Sequence, residues 1–422
     1  DTLESYDGGT LEDETADGSG LSLSEAIGLA NVGSAADLIE FDASLLGSTI
    51  LLTGTRMTIS DDLTIDGDID NDGLADITID GAQSTGVTRQ HFDITAGTTT
   101  LYGLNLTRGR GQGSNNGGID VRAGATLNFY NSQLVDGFSY AGVSGIDNAC
   151  TTNIRNSQIN GHFNYIYGYG TSGIRNQAGA TLNIVNSSLT GNSRPGTAGY
   201  TAEQAGIVNY GIAQLVNVTI ADGDTSRGHV GFSNKSGATA TLTHTTISGN
   251  QSGLGSQSAG IRNESGATLT LTNSLVIGNS DIASGSATPA NLNNQGTLNL
   301  VGGNIIGDEY SIDGVVQSSG FSVGDVISGP AGDNGGLVET VPLTLSNSNP
   351  AIDAADDSAG ITTDARELTR LDNPEVANNG SNIADLGAYE AGELPSPVSY
   401  THLRAHETRS VLSYAVFCLK RG

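Results

Sequence analysis

The chain has 422 residues, with 60 glycines, no tryptophan, and 45 Asp and Glu against 17 Lys and Arg, a formal charge of −28. Such an acidic surface repels phosphate backbones and anionic lipid, which argues against nucleic acid and membrane surfaces as partners and leaves carboxylates available for divalent cations. Two cysteines cannot build a disulfide framework, and no stretch approaches the roughly eighteen apolar residues that a membrane span needs.

Asp1 follows no basic and apolar leader, so the chain reads as a mature or truncated product whose export has to be inferred from its architecture. Residues 1–38 are expected to form an N-terminal cap. Within Leu21 to Val32, Ser22 or Ser24 is available as N-cap, and Leu23, Ala26, Ile27 and Ala30 fall at helical spacing, which predicts a short amphipathic helix over the first coil of a solenoid. Strand-like runs follow at Leu38 to Phe41, Thr49 to Leu52 and Leu63 to Ile65. The string LSLSEA from Leu21, with its sequel LANVGSAADLIEFDASLLGSTILLTG and DDLTIDG, resembles the CSLREA box of bacterial and archaeal surface or secreted β-helices. Leu21 and Ser24 stand where that family has its Cys and Arg, so the box is degenerate.

The sharpest local motif comes next, in DGDIDNDGLADITIDG. Asp68, Asp70, Asp72 and Asp76 surround the Gly73 turn at alternating spacing, and Leu74 stands where a backbone carbonyl would complete the set. Hard oxygen donors in this pattern suit Ca²⁺. The twelfth position of the loop is Ile79 rather than a bidentate acid, so a structural ion of modest affinity is expected.

From Gly118 the chain repeats itself: GIDVRAGATLNFYNSQL, GIDNACTTNIRNSQI, GIRNQAGATLNIVNSSL and three further units anchored at Gly206, Gly231 and Gly260. Each unit reads as three short strands that cannot bury a face alone, so stacking is the remedy and residues 39–310 are read as a right-handed, three-sided parallel β-helix, a pectate-lyase-like solenoid. Three apolar ladders are expected. One holds Ile119, Ile146, Ile174, Ile207, Phe232 and Ile261; a second Leu127, Ile154, Leu182, Leu215, Leu242 (or Thr241) and Leu269; a third Leu134, Ile159, Leu189, Ile220, Ile247 and Leu275. Asparagines recur at two bends, at Asn148, Asn176, Asn209, Asn234 and Asn263 and at Asn131, Asn156, Asn186, Asn217 and Asn273, and are read as structural amide ladders rather than sugar contacts. His162 and His229 are read as surface loop residues. In the run FNYIYGYG, the alternating Tyr165, Tyr167 and Tyr169 are candidates for carbohydrate stacking, weighed against ordinary packing on the coil.

In residues 311–396, the strings DNGGLVETVPLTLSNSNPAID and TDARELTR to DLGAYE resemble the choice-of-anchor domain lettered Q, whose relatives carry sorting or anchoring signals farther downstream. The composition breaks at Val398. VSYTHLRAHET resembles a translated sequencing adaptor, so residues 397–422 are read as a non-native tail. Signatures of pectin-degrading enzymes (Asn-Thr-Asp, Gly-His-Gly, Arg-Ile-Lys, Arg-x-Pro-x-x-Arg) are not found in the sequence. The expectation is a monomeric extracellular or cell-surface protein, an adhesin-like or structural passenger stabilised by Ca²⁺, with polysaccharide or a host or matrix surface as partner. The alternative is a polysaccharide lyase or glycoside hydrolase of the same fold.

Overall fold

The computed structural model describes residues 7–392, apart from 17–19, 34, 83–85, 114, 166–169, 195–205, 226–227, 254–257, 283–285, 308–309, 313–314, 318–319 and 374–382, together with the strand Phe417–Arg421. The fold is a parallel β-solenoid. One turn runs through Ile119–Val121, Thr126–Tyr130, Gln133–Val135 and Phe138–Ser139, which define its first to fourth faces, before Ile146–Asn148 begins the next. The first face is an eleven-stranded sheet, the second and third together form a nineteen-stranded sheet, and the fourth stacks eight short strands. The three ladders read from the sequence are thus joined by a fourth set of two-residue strands, in the segment where the repeats vary most.

Period-two alternation decides what each strand buries. On the first face the expected ladder is in register from Ile119 through Ile146, Ile174, Ile207 and Phe232 to Ile261. On the second face the expected ladder mixes two inward columns. Leu127 aligns with Thr152, Leu182, Ala213, Ala240 and Leu269, while Phe129 aligns with Ile154, Ile184, Leu215, Leu242 and Leu271. The turns before these strands differ in composition, and a two-residue slip keeps every side chain on the same face, so hydrophobic pattern alone cannot detect it. On the third face Ile247 aligns with Val276, so Leu275 leaves the expected ladder and faces outward.

The first amide ladder is continuous, whereas in the second the amide bonds link Asn217 to Asn186 and Asn273 to His244. Asn148 donates to Asn176 (2.7 Å), Asn176 to Asn209 (2.7 Å), Asn209 to Asn234 (2.9 Å), Asn234 to Asn263 (3.0 Å) and Asn263 to Asn294 (2.6 Å), all buried. At the bend between second and third faces Asn131, Asn156, Asn186, Asn217 and Asn273, with His244 in the same column, hold φ between 47° and 53°. Asparagine tolerates this left-handed conformation better than most residues, which is why it recurs there. A further polar corner escaped the sequence reading. His162, Asn192, Asn250 and Asn279 each bond a buried strand carbonyl, of Leu134, Ile159, Ile220 and Ile247 respectively. His162 is therefore buried rather than a surface residue, and burial pushes its imidazole down to about 4.

The N-terminal capping helix forms as expected. Helix Leu23–Ala30 starts at Ser22, which accepts from the Glu25 amide (3.2 Å) while the Ser22 amide donates to Glu25 Oε2 (2.6 Å). Leu23, Ala26, Ile27 and Ala30 are buried against the end of the coil.

Residues 323–373 and 383–391 turn back and lie along the outside of the third face. Their Val326, Ile327, Val341, Leu343, Ile352 and Leu386 cover Ala221, Leu275, Ile277 and Ile305 of the coil. The bend asparagines supply anchor points: Asn156 donates to Glu367 (3.1 Å), Asn217 to the Thr363 carbonyl (2.9 Å) and Asn273 to the Asp356 carbonyl (3.0 Å). This strap explains why Leu275, Val276 and Ile277 form a continuous apolar run: the strand is covered on both sides. Of residues 397–422, Phe417–Arg421 runs antiparallel along the edge strand Asp37–Phe41, an addition that any open sheet edge invites.

Candidate metal centre and outer-surface clusters

The acidic loop is an insertion at the bend between second and third faces of the first turn, connecting Leu63–Asp66 to Ile77–Asp80. Later turns cross this bend with one left-handed residue, whereas here the chain makes an excursion through Asn71 and Gly73, at φ 60° and 84°. Asn131, two turns on, holds the loop by donating to the Gly73 carbonyl (3.0 Å).

The excursion gathers Asp68, Asp70 and Asp76, one carboxylate oxygen from each lying within 4.8 Å of the others. Asp76 Oδ2 accepts from the Ile69 amide (2.7 Å), and Asp68 accepts from the amides of Asp72 (3.1 Å) and Gly73 (3.0 Å). Burial, together with the charges of Asp70 and Asp72, raises the Asp76 carboxyl, although the amides of Ile69 and Asp70 pull it down. Asp72 is not in this cluster: its Oδ1 accepts from the Leu74 amide (2.8 Å). The Leu74 side chain is exposed. Three of the four predicted carboxylates therefore converge, and the fourth shapes the loop. A donor set of carboxylate oxygens around a glycine turn fits a hard divalent cation. A cavity of about 360 Å³ adjoins the loop, lined by Glu40, Asp42, Asp66, Asp68 and Asn71.

Of the candidate aromatic run, Tyr165 is described and Tyr167 and Tyr169 lie outside the described residues. Tyr165 belongs to a stack on the fourth face. Phe138 and Phe163 lie parallel on successive turns with centroids 5.7 Å apart, Tyr165 leans on both, and Tyr140 meets Tyr165 edge-on at 5.5 Å. The buried Arg110 guanidinium covers the other face of Phe138 at 4.4 Å. Both faces of Phe138 are thus occupied, while Tyr165 keeps 38% of its surface exposed. Sequence reading missed Phe138 and Tyr140 because they stand one turn earlier, outside the run.

A second outward column, on the first face, holds Asp93, Asp120 and Asp147 in register. Arg122 bridges Asp93 (2.6 Å) and Asp120 (2.8 Å), Arg175 grips Asp147 through Nε (2.9 Å), and Asn116 donates to both Asp120 and Asp147. Burial raises the Asp120 carboxyl, and the neighbouring Asp147 raises it further. Arg122 and Arg175 are therefore ion-paired on this face. Elsewhere Lys235 (3.1 Å) and Arg262 (3.4 Å) share Glu264.

No helix among the described residues is long and apolar enough to cross a membrane. Comparison with protein-family models, curated proteins and solved structures yields no match. The fold defines a parallel β-solenoid.

Proposed function

We propose that the chain is an extracellular or cell-surface protein of the CSLREA-box and choice-of-anchor kind, a non-enzymatic adhesin-like or structural stalk that binds calcium at Asp68, Asp70 and Asp76 and meets polysaccharide or matrix along its flank. The observation that carries this reading is the convergence of three carboxylates at the first turn of a long, acidic, regularly laddered solenoid. A bound divalent ion offsets their repulsion and fixes an insertion that otherwise rests on a few amide bonds. The exposed ring of Tyr165 offers a carbohydrate contact on the fourth face.

The experiment is a glycan-array screen of residues 1–396 in calcium, with release of reducing ends measured on every polysaccharide that binds. Binding without release supports the adhesin-like reading; release of new ends overturns it. For the ion, calcium at about thirty times its Kd should stabilise the protein by about 2 kcal/mol. Asp76→Asn should abolish that gain, and equal melting temperatures in millimolar Ca²⁺ and in excess EDTA would rule the ion out.

A second reading has one observation in its favour. Asp120 and Asp147 sit on neighbouring turns and share one amide donor, Asn116, and the Asp120 carboxyl is raised, an arrangement that suits an acid and a base in glycoside hydrolysis. If polysaccharide hydrolysis is found and Asp120→Asn abolishes it without loss of binding, this reading replaces the first.

A further inference from the structure

The strap is held to the coil by a buried ionic cluster built from TDARELTR and DLGAYE. Arg370 donates to Glu390 (2.9 Å), to the carbonyls of Asp385 (3.1 Å) and Gly387 (2.8 Å) and to Asn217 of the coil (3.0 Å). Arg366 pairs with Asp364 (2.6 Å), donates to the Glu390 carbonyl (2.7 Å) and stacks on Tyr389 at 3.9 Å. Glu390 also accepts from the amides of Asp385 (2.9 Å) and Leu371 (3.1 Å). Asp385 accepts from the amides of Asp353 (2.8 Å) and Ala391 (2.6 Å). Asp353, Asp364, Asp385 and Glu390 are all buried, so four carboxylates face two guanidiniums. Asp353 has one oxygen without a partner, and Asp357 and Asp372 add negative charge beside it. From the coil, His244 packs against Arg370 and the backbone at Asp385 and Gly387.

We propose that this cluster is a proton-controlled latch. While Asp385 and Glu390 retain protons its charges balance and the strap stays seated, and when both ionise the uncompensated buried charge loosens residues 323–373 and 383–391 from the third face. Burying excess like charge in a low dielectric is costly, so either the carboxyls hold protons or the site opens. The environment acts in that direction: burial, with the charge of Asp353 adding to it, pushes Asp385 up to about 7, and burial with the charge of Asp385 pushes Glu390 up to about 8. Both values lie above those of an unfolded chain, so the seated form binds more protons than the released one. Its advantage is present below about pH 4 and is lost as pH rises through 7 and 8. The buried histidines act oppositely, since His162, held at about 4, disfavours the folded coil as pH falls. A global melting curve mixes the two, so a local probe is required.

The test is pulsed hydrogen exchange of the full chain from pH 5 to 9, corrected for intrinsic rates, comparing peptides from 337–343 and 385–391 with coil peptides from 174–189. The strap opening constant should rise by up to tenfold per pH unit for each proton released, while the coil peptides stay flat. In Glu390→Gln with Asp385→Asn the strap profile should become flat. A pH-independent strap in the wild type overturns the latch. Because the double variant could fail to seat at all, infrared difference spectra of the wild type supply an independent check: a protonated carboxyl band that disappears between pH 6 and 9 supports the proposal, and its absence overturns it.

Discussion

Asn209→Ala should destabilise the solenoid by about 4 kcal/mol. The amide of Asn209 donates to Asn234 Oδ1 (2.9 Å) and to the Thr239 carbonyl (3.1 Å), and it accepts from Asn176 (2.7 Å) and from the Gly211 amide (3.1 Å). All of this is buried. Alanine strands several of these groups without water, each at about 1–3 kcal/mol, and the ladder cannot close up because the rung spacing is set by the strands on either side. The half-buried Asn128, which accepts from Asn153 on the outer surface of the second face, provides the contrast. There water can replace the lost partner, and Asn128→Ala should change stability by less than about 1 kcal/mol. Urea midpoints at constant slope measure both. Near-equal losses for the two variants would show that the buried ladder is not what distinguishes the inner column.

Arg370→Met should cost about 3–5 kcal/mol in the seating of the strap, the usual penalty for removing one partner of a buried ion pair. Arg370 is 1% exposed at its side chain, and it is the group that links Glu390 on the strap to Asn217 on the coil. Its loss leaves Glu390 and Asp385 without their nearest cation. At pH 6 both can hold a proton and the defect is partly masked, whereas at pH 9 it is fully exposed, so the difference between variant and wild type should widen with pH. Protease cleavage within 323–373 reads this directly. A defect of equal size at both pH values would show that Arg370 acts through its hydrogen bonds to carbonyls rather than through charge.

Much of the coil was legible because the repeat is written in the sequence. The glycine-isoleucine anchor fixed the first-face ladder, and the recurring asparagines marked two of the polar bends in advance. These positions are legible because each turn sees nearly the same neighbours above and below, so one residue type satisfies the same local requirement many times. The acidic loop was legible for a similar reason, since its carboxylates come from nine consecutive residues, Asp68 to Asp76. The capping helix needed only Ser22, Glu25 and their apolar neighbours.

What the sequence could not decide was everything that depends on which turn meets which. The slip on the second face between Leu127 and Ile154 leaves the inward alternation unchanged, so only backbone pairing reveals it. Whether Asp72 joins Asp68, Asp70 and Asp76 depends on where the Leu74 amide turns. Leu275 faces outward because the strap lies over it, and the sites in the strap that meet the coil are separated from it by up to 212 residues along the chain, as in Glu367 against Arg155. Arg366, Arg370, Asp385 and Glu390 likewise stand in two separate strings that carry no mark of their contact with the coil. The sequence by itself thus determined the repeating local chemistry, that is, which residues face inward, which turn the bends and which could hold a cation. The tertiary structure alone decided the register between unequal turns and the seating of the strap, because both follow from long-range packing that a chain with a uniform period does not encode.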